Sequence, residues 1–219
     1  MDEYIKRFEL QRVLPDSVLP HIQVVTFQKG EEIFVQGEQP RTLSFLIEGR
    51  LKIFTSSSEG KKLIVAFTQP FSMVGDIELV QQKPYLHTVE AITDGKFLSI
   101  PVEIVTQYGM SHLPFVQFLL ETITGKFYAN AYAQTFNLLH SVDVRFASYL
   151  LSITTEEQYV SIHHIRDVAD LIGTSYRHLN RIIAQLCEAG YIERSERTIR
   201  ILNREQLLLL AKQNIYEER

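Results

Sequence analysis

Tyr176, Arg177, Asn180 and Arg181 stand at i, i+1, i+4 and i+5, a spacing that brings all four side chains to one face of an α-helix. A guanidinium fork matches the two acceptors of guanine, and a carboxamide matches the donor and acceptor of adenine. A helix with this face is therefore suited to reading base edges in a DNA major groove. Arg194, Arg197 and Arg200 follow, and their forks suit phosphate oxygens. An ordinary helical hairpin with a charged outer face would share this composition, so the elements that position the four residues have to decide.

Those elements lie in His164–Gly190, HIRDVADLIGTSYRHLNRIIAQLCEAG. Ile165, Val168, Ala169, Leu171 and Ile172 recur at helical spacing and stop at Gly173. A second helix begins at Thr174/Ser175 and is expected to bury Leu179, Ile182, Ile183 and Leu186. Ala169 is small where the two helices cross, and Gly173 supplies a turn residue free to take positive φ. This is the pattern of a helix-turn-helix. Beyond Gly190, YIERSERTIRIL predicts a two-stranded wing turning at Ser195–Glu196. Alternation is expected to send Ile192, Ile199 and Ile201 inward and to leave Arg194, Arg197 and Arg200 for phosphates. Asn203 is expected to cap a last helix, REQLLLLAKQNIY.

The formal net charge of −4 hides an uneven distribution. Residues 163–204 hold seven arginines against five acids, and no lysine falls between Lys126 and Lys212. A hydrophobic fraction of 45% over 219 residues supplies proper cores for one large or two small domains. With no long apolar run and no basic-then-apolar leader, a soluble cytoplasmic protein is expected. The single cysteine, Cys187, excludes an intrachain disulfide and a four-thiolate iron–sulfur cluster, and reads as a small buried hydrophobe. Nothing pairs His21, His87 or His112 as haem ligands, and no metal spacing, nucleophile elbow or phosphate loop occurs. No cofactor and no catalytic activity are expected.

Upstream, residues 1–20 predict a short helix ending near Pro15. IQVVTF, EIFVQ, LSFLIEG, LKIFTSS, KLIVAF, HTVEAI and KFLSIP then read as short strands separated by glycines and polar clusters, the pattern of a sandwich, jelly roll or small barrel. VEIVTQYGM predicts a short helix, and Pro114 opens a long one running to about His140. Its apolar positions nearly encircle it. Val116, Leu119, Ile123 and Ala133 mark one stripe, loosely continued by Lys126, Asn130 and Asn137. Leu120, Phe127, Ala131 and Leu138 mark a second. A helix apolar on two sides must be covered twice, and a two-fold partner chain is the economical second cover. Gly125 allows a bend or a close helix approach. Ser141 is expected to cap the next helix, VDVRFASYLLSI, with TTEEQ as a polar break before the helix-turn-helix.

FQKGEEIFVQGEQPRTLSFLIEGRLKIF, MVGDIELV, SVDVRFASYLLSI and the helix-turn-helix together resemble the CRP/FNR family of bacterial transcription regulators, over nearly the whole chain and closest to its YeiL-like members. The resemblance implies an α+β protein. Residues 1–113 would form an N-terminal helix and β-roll effector domain, jelly-roll-like and similar to cyclic-nucleotide-binding domains. Residues 114–140 would form a dimerisation helix, and 141–219 a winged helix-turn-helix domain. It implies a homodimer on a two-fold DNA operator, with base-reading positions at Tyr176, Arg177, Asn180 and Arg181. Ser175, beside the free N–H groups of the helix start, is the expected phosphate anchor. Arg177 replaces the family's usual Glu, which accepts from cytosine, so base preference should differ there. Activation would need a surface for RNA polymerase, for which Glu156 and Glu157 are exposed-loop candidates.

The family's effector positions fall on Gly75, Asp76, His87, Thr88 and Asn130. Cyclic-nucleotide members place an Arg where this chain has Tyr85–Leu86–His87–Thr88. Without that fixed bidentate partner the main charge-assisted contact to a phosphate is missing. His87 replaces it only when protonated, a minority state near neutrality. The reading is therefore a regulator controlled by an unidentified effector or active without ligand. The alternatives are a cyclic-nucleotide-responsive regulator and a small-molecule binding module with vestigial DNA binding.

Overall fold

Short β-branched and aromatic runs alternate between two environments in the first half of the chain, and the strands they form are β1 (Gln23–Phe27), β2 (Glu32–Phe34), β3 (Thr42–Glu48), β4 (Leu51–Ser56), β5 (Lys62–Thr68), β6 (Met73–Val74), β7 (Thr88–Ala91) and β8 (Gly95–Pro101). They make two antiparallel four-stranded sheets, ordered β1-β8-β3-β6 and β2-β7-β4-β5. One apolar cluster draws Phe27, Leu46 and Phe97 from the first sheet and Phe34, Leu51 and Val89 from the second. The neighbouring positions of β3 and β8 (Leu43, Phe45, Ile47, Leu98 and Ile100) belong to another cluster with Leu10, Leu14 and Val18 of the N-terminal segment. Strand β3 is therefore buried on both faces, which explains why it reads as an almost continuous apolar run.

The computed structural model describes residues 2–57, 59, 62–68, 70–154, 159–161, 165–196 and 198–211. His164, Arg197, Glu156 and Glu157 lie outside these described residues. The chain divides into two units, Met1–Phe127 and Tyr128–Arg219. In the first, α1 (Asp2–Arg7) and 3-10 turns at Leu10–Arg12 and Leu19–His21 stand where one short helix is expected. Helix α2 (Asp76–Gln81) follows β6 directly. The expected helix after Pro101 is a turn of helix, α3 (Val102–Ile104), continued by a π-helical turn over Val105–Gly109.

Helix α4 (Leu113–Leu139) is the long helix, and the division between the units falls inside it. Pro114 is its second residue, a position where no intrahelical N–H is lost. Phe115 and Leu119 complete the first unit's core, and Leu119 is 3% exposed. Neighbouring Leu120 is 62% exposed, Phe127 73% and Leu138 86%. The two expected stripes thus differ: the one holding Leu119 is covered within the chain, and the one holding Leu120, Phe127 and Leu138 is bare. A Cβ on Gly125 would meet no atom within 4 Å, so packing within the chain does not require that glycine.

The second unit holds α5 (Val142–Ile153), β9 (Tyr159–Ser161), α6 (Ile165–Leu171), α7 (Tyr176–Glu188), β10 (Ile192–Arg194), β11 (Thr198–Ile201) and α8 (Arg204–Ala211). Phe146, Leu150, Val168, Ala169, Leu179, Ile183, Ile199 and Leu207 share its core. Two sequence expectations need correction. Ser141 occupies the N-cap position of α5 but its side chain caps nothing. The wing has three strands, ordered β10-β11-β9, because Tyr159–Ser161 adds to β11. A three-residue strand is too short to show a period.

Arg194 is exposed, as alternation predicts, but by register it lies at the end of the strand face that carries Ile192. Its Cα partner across the ladder is Ile199, and Ile192 pairs with Ile201. Side chains two apart on a strand point the same way, so Arg194 shares the face of Ile192 and Ile199. Glu193 and Arg200 pair on the other face. Asn203 caps α8 as expected, its Oδ1 accepting from the N–H of Gln206 at 3.1 Å.

Candidate nucleic-acid interface and effector region

The helix-turn-helix is assembled from the second unit's core outward. Ala169 and Leu179 are buried, so α6 and α7 meet through their apolar faces. Gly173 takes φ +66, and the N–H of Thr174 donates to the carbonyl of Ala169 at 2.9 Å. Arg145, on α5 and buried, sends Nη1 to the carbonyls of Ile172 and, at 3.2 Å, Gly173. A fixed cation on the carbonyl-rich end of α6 satisfies acceptors that have no helical partner. A Cβ on Gly173 would stand 3.3 Å from that Nη1, a tight approach to a flexible side-chain end, so the positive φ is what calls for glycine here. Neither periodicity nor composition singles out Arg145, whose neighbours Val144 and Phe146 are apolar.

Ser175 caps α7, its Oγ accepting from the N–H of His178 at 3.1 Å. Its hydroxyl hydrogen stays available to an incoming phosphate oxygen. Tyr176, Arg177 and Arg181 are exposed and Asn180 is half-buried, on one face of α7. The Arg166 guanidinium lies 5.4 Å from the centre of the Tyr176 ring. Asn180 donates from Nδ2 to the Tyr176 carbonyl at 2.8 Å and accepts at Oδ1 from Arg194 Nη1 at 2.6 Å. Arg177 and Arg181 form no hydrogen bond or ion pair with the described residues. Six of the seven expected DNA-contact residues are thus on or beside one helix face. The seventh, Arg197, is outside the described residues.

The effector positions behave differently. Gly75 takes φ +90, and a Cβ there would stand 2.7 Å from the Thr42 carbonyl oxygen, so this turn between β6 and α2 admits only glycine. Asp76, which follows, is 2% exposed. Lys126 of α4 reaches it with Nζ at 2.7 and 2.8 Å from its two carboxylate oxygens, and donates as well to the Met73 carbonyl at 2.6 Å. The carboxylate is therefore neutralised from within the first unit. Lys126 falls loosely in a helical stripe, and only the fold brings it 50 residues back to Asp76.

Thr88, buried at the start of β7, accepts at Oγ1 from the Gln36 N–H at 3.1 Å. His87 keeps its Nδ1 buried with no hydrogen-bond partner among the described residues, and burial lowers its pKa. Burial pushes the Tyr85 phenol up to about 12. Residues 85–88 consequently offer a phosphate no positive charge near neutral pH. Asn130 is an exposed residue of α4 past the division between the units.

Residues 24–112 match the family model of the cyclic nucleotide-binding domain, and residues 144–210 that of the Crp-like helix-turn-helix domain. The regulatory protein YeiL of Escherichia coli O157:H7 is 28% identical over 185 residues, covering 84% of each chain. A CRP-like cAMP-activated global transcriptional regulator of Mycobacterium tuberculosis is 22% identical over 224 residues, covering 97% of this chain and all of its own. The crystal structure of a CRP-family transcriptional regulator from Thermus thermophilus superposes with a TM-score of 0.74 at 21% identity, over 87% of this chain and 98% of that one. This last likeness establishes the fold. No described helix is long and apolar enough to cross a membrane.

Proposed function

We infer that the chain, which belongs to the CRP/FNR family of transcription regulators, binds a two-fold DNA operator as a homodimer. The observation that carries this is the face of α7. A capped helix start stands beside two exposed arginines without intramolecular partners among the described residues, as a helix entering a major groove requires. Ser175 anchors a phosphate, Arg177 and Arg181 read base edges, and Asn180 reads beside them. The bare stripe of Leu120, Phe127 and Leu138 supports a second copy as its cover, since exposed apolar residues aligned along one helix mark an association surface. Phe127→Glu should yield monomers in sedimentation and abolish operator binding. A monomeric variant with full binding overturns the dimer. Leu119 is no use for this test, because its replacement would break the first unit's own core.

The DNA-competent state does not need a cyclic nucleotide. Asp76, the acid at the family's effector position, already holds an internal ammonium, and residues 85–88 carry no cation for the phosphate. Another signal acts by binding one of two dimer states more tightly, or abundance alone sets occupancy. A second reading, cyclic-nucleotide response, draws on the match of residues 24–112 and on the Gly75–Asp76 turn. Selection of sites from random duplex DNA by the purified protein separates the two. Enrichment without ligand of a palindrome whose half-sites lie about 34 Å apart supports the first. Enrichment only with added cyclic AMP or GMP supports the second. No enrichment from folded dimer in either case, nor with cell extract added to supply another signal, overturns both. The protein works in the cytoplasm, where a DNA regulator without a described membrane-crossing helix meets its operator, and no catalytic role is assigned to it.

A further inference from the structure

Beyond the apolar core that α7 shares with the wing, Arg194 Nη1 of the wing donates to Asn180 Oδ1 of the reading helix at 2.6 Å. The origin of this bond is the register of the wing. Arg194 lies opposite Ile199 and two residues beyond Ile192, so its side chain leaves the strand on their face, but at the strand's exposed end, where it reaches past the core to α7. There it meets an amide already tied at its other end, since Asn180 Nδ2 donates to the Tyr176 carbonyl. Asn180 is thereby fixed in rotamer and in amide orientation by two partners.

We propose that Arg194 is a specificity-determining residue that turns Asn180 from an adenine reader into part of a guanine-reading pair; this rests on the operator-binding reading above. An unencumbered carboxamide recognises adenine by donating to N7 and accepting from the N6 amino group. Here the accepting atom already holds a charge-assisted bond from a guanidinium. Its remaining lone pair is polarised toward a full positive charge, and an adenine amino group approaching it meets donors and a cation. What the pair presents outward is the second Nδ2 hydrogen and the uncommitted N–H groups of Arg194. A donor-rich, positive edge fits the N7 and O6 acceptors of guanine and disfavours the adenine amino group. The wing therefore takes part in choosing a base through the reading helix, beyond any phosphate contact.

The test is site selection from random duplex DNA with the full chain, unmodified and as Asn180→Ala, Arg194→Met and Arg194→Lys, each variant first checked for an unchanged thermal melt. Asn180→Ala should relax preference at one position of each half-site, and that position should be guanine in the unmodified protein. Arg194→Met should shift the same position toward adenine, changing the guanine-to-adenine affinity ratio on the order of tenfold. Arg194→Lys, which keeps the charge without the planar fork, should fall between. The proposal is overturned if Arg194→Met weakens all sequences equally and lowers the salt slope by about one with base preference unchanged, the signature of a phosphate contact. It is also overturned if Asn180→Ala relaxes no position. Both results leave the regulator reading standing. Failure of the unmodified protein to enrich any sequence, whether alone, with cyclic nucleotide or with cell extract, overturns that reading and this proposal together.

Discussion

The two halves of the molecule handle their polar side chains in opposite ways. In the β-roll, groups at the positions that would receive an effector are closed on one another: Asp76 on Lys126, and Thr88 on the Gln36 N–H. In the winged helix-turn-helix, the buried polar work is done behind the surface by Arg145, and Arg177 and Arg181 are left open on α7. An open cation face has a pending partner, and a closed ion pair already has one. The family resemblance alone assigns a ligand to both regions; the side-chain partners assign one to α7 and leave Asp76 and Thr88 of the roll already engaged.

The comparison breaks most forcefully at Lys126. Lys126→Met leaves a carboxylate that is 2% exposed without its cation. With about a third of the lysine still solvated, the loss should be on the order of 2–3 kcal/mol, somewhat below that for a fully buried pair. Urea unfolding reads it, and adding Asp76→Asn should recover most of the loss. If Lys126→Met unfolds at the same urea concentration as the parent, the roll is not closed by this pair. Arg145→Met tests the other half by stripping the partner from two turn carbonyls. It should cost about 2 kcal/mol and loosen α6 against α7, so operator binding and stability fall together. An unchanged melt would show that those carbonyls find other partners.

What the sequence makes legible follows from how local each signal is. Seven of the eight roll strands are carried by short β-branched and aromatic runs between turn residues, a signal that needs no knowledge of the fold, and β6 escapes it because it is two residues long. The helix-turn-helix is legible because Ala169, Gly173 and Ser175 each answer a local requirement: close crossing, positive φ, and a cap. Lys126 and Arg145 are not, because their roles depend on atoms 50 and 27 residues away. A lysine in a helical stripe looks like tolerated amphipathy until its carboxylate is known. Arg194 is exposed as expected, but its bond to Asn180, 14 residues away, is as illegible as those of Lys126 and Arg145.

On the open side, Arg181→Ala should remove discrimination at one base step by about 1–3 kcal/mol. The thermal midpoint should not move, because Arg181 bonds to none of the described residues. Binding to operators altered at single positions reads this. A uniform loss across all of them would make Arg181 a phosphate contact instead. Ser175→Ala should combine both characters, costing about 1 kcal/mol of stability through the lost cap and weakening all operators alike. If it leaves stability untouched, the cap contributes nothing to the open face.

The smallest effect tests whether the closed side stays uncharged. His87 is lowered in pKa by burial, against a weaker opposing pull from Glu78. The folded chain therefore takes up the His87 proton at a lower pH than the unfolded chain does. Above the unfolded value, about 6.5, both states are neutral there and His87 contributes no pH dependence. As pH falls through that value the unfolded state gains a proton first, and stability drops until the folded pKa is reached. The slope for one such group is at most about 1.4 kcal/mol per pH unit. His87→Gln should flatten the fall in urea stability below about pH 6.5 relative to the parent and leave the two chains parallel above it. A steeper fall in the variant would mean that His87 gains a proton on folding. The 85–88 segment would then offer an anion the charge that its burial otherwise withholds.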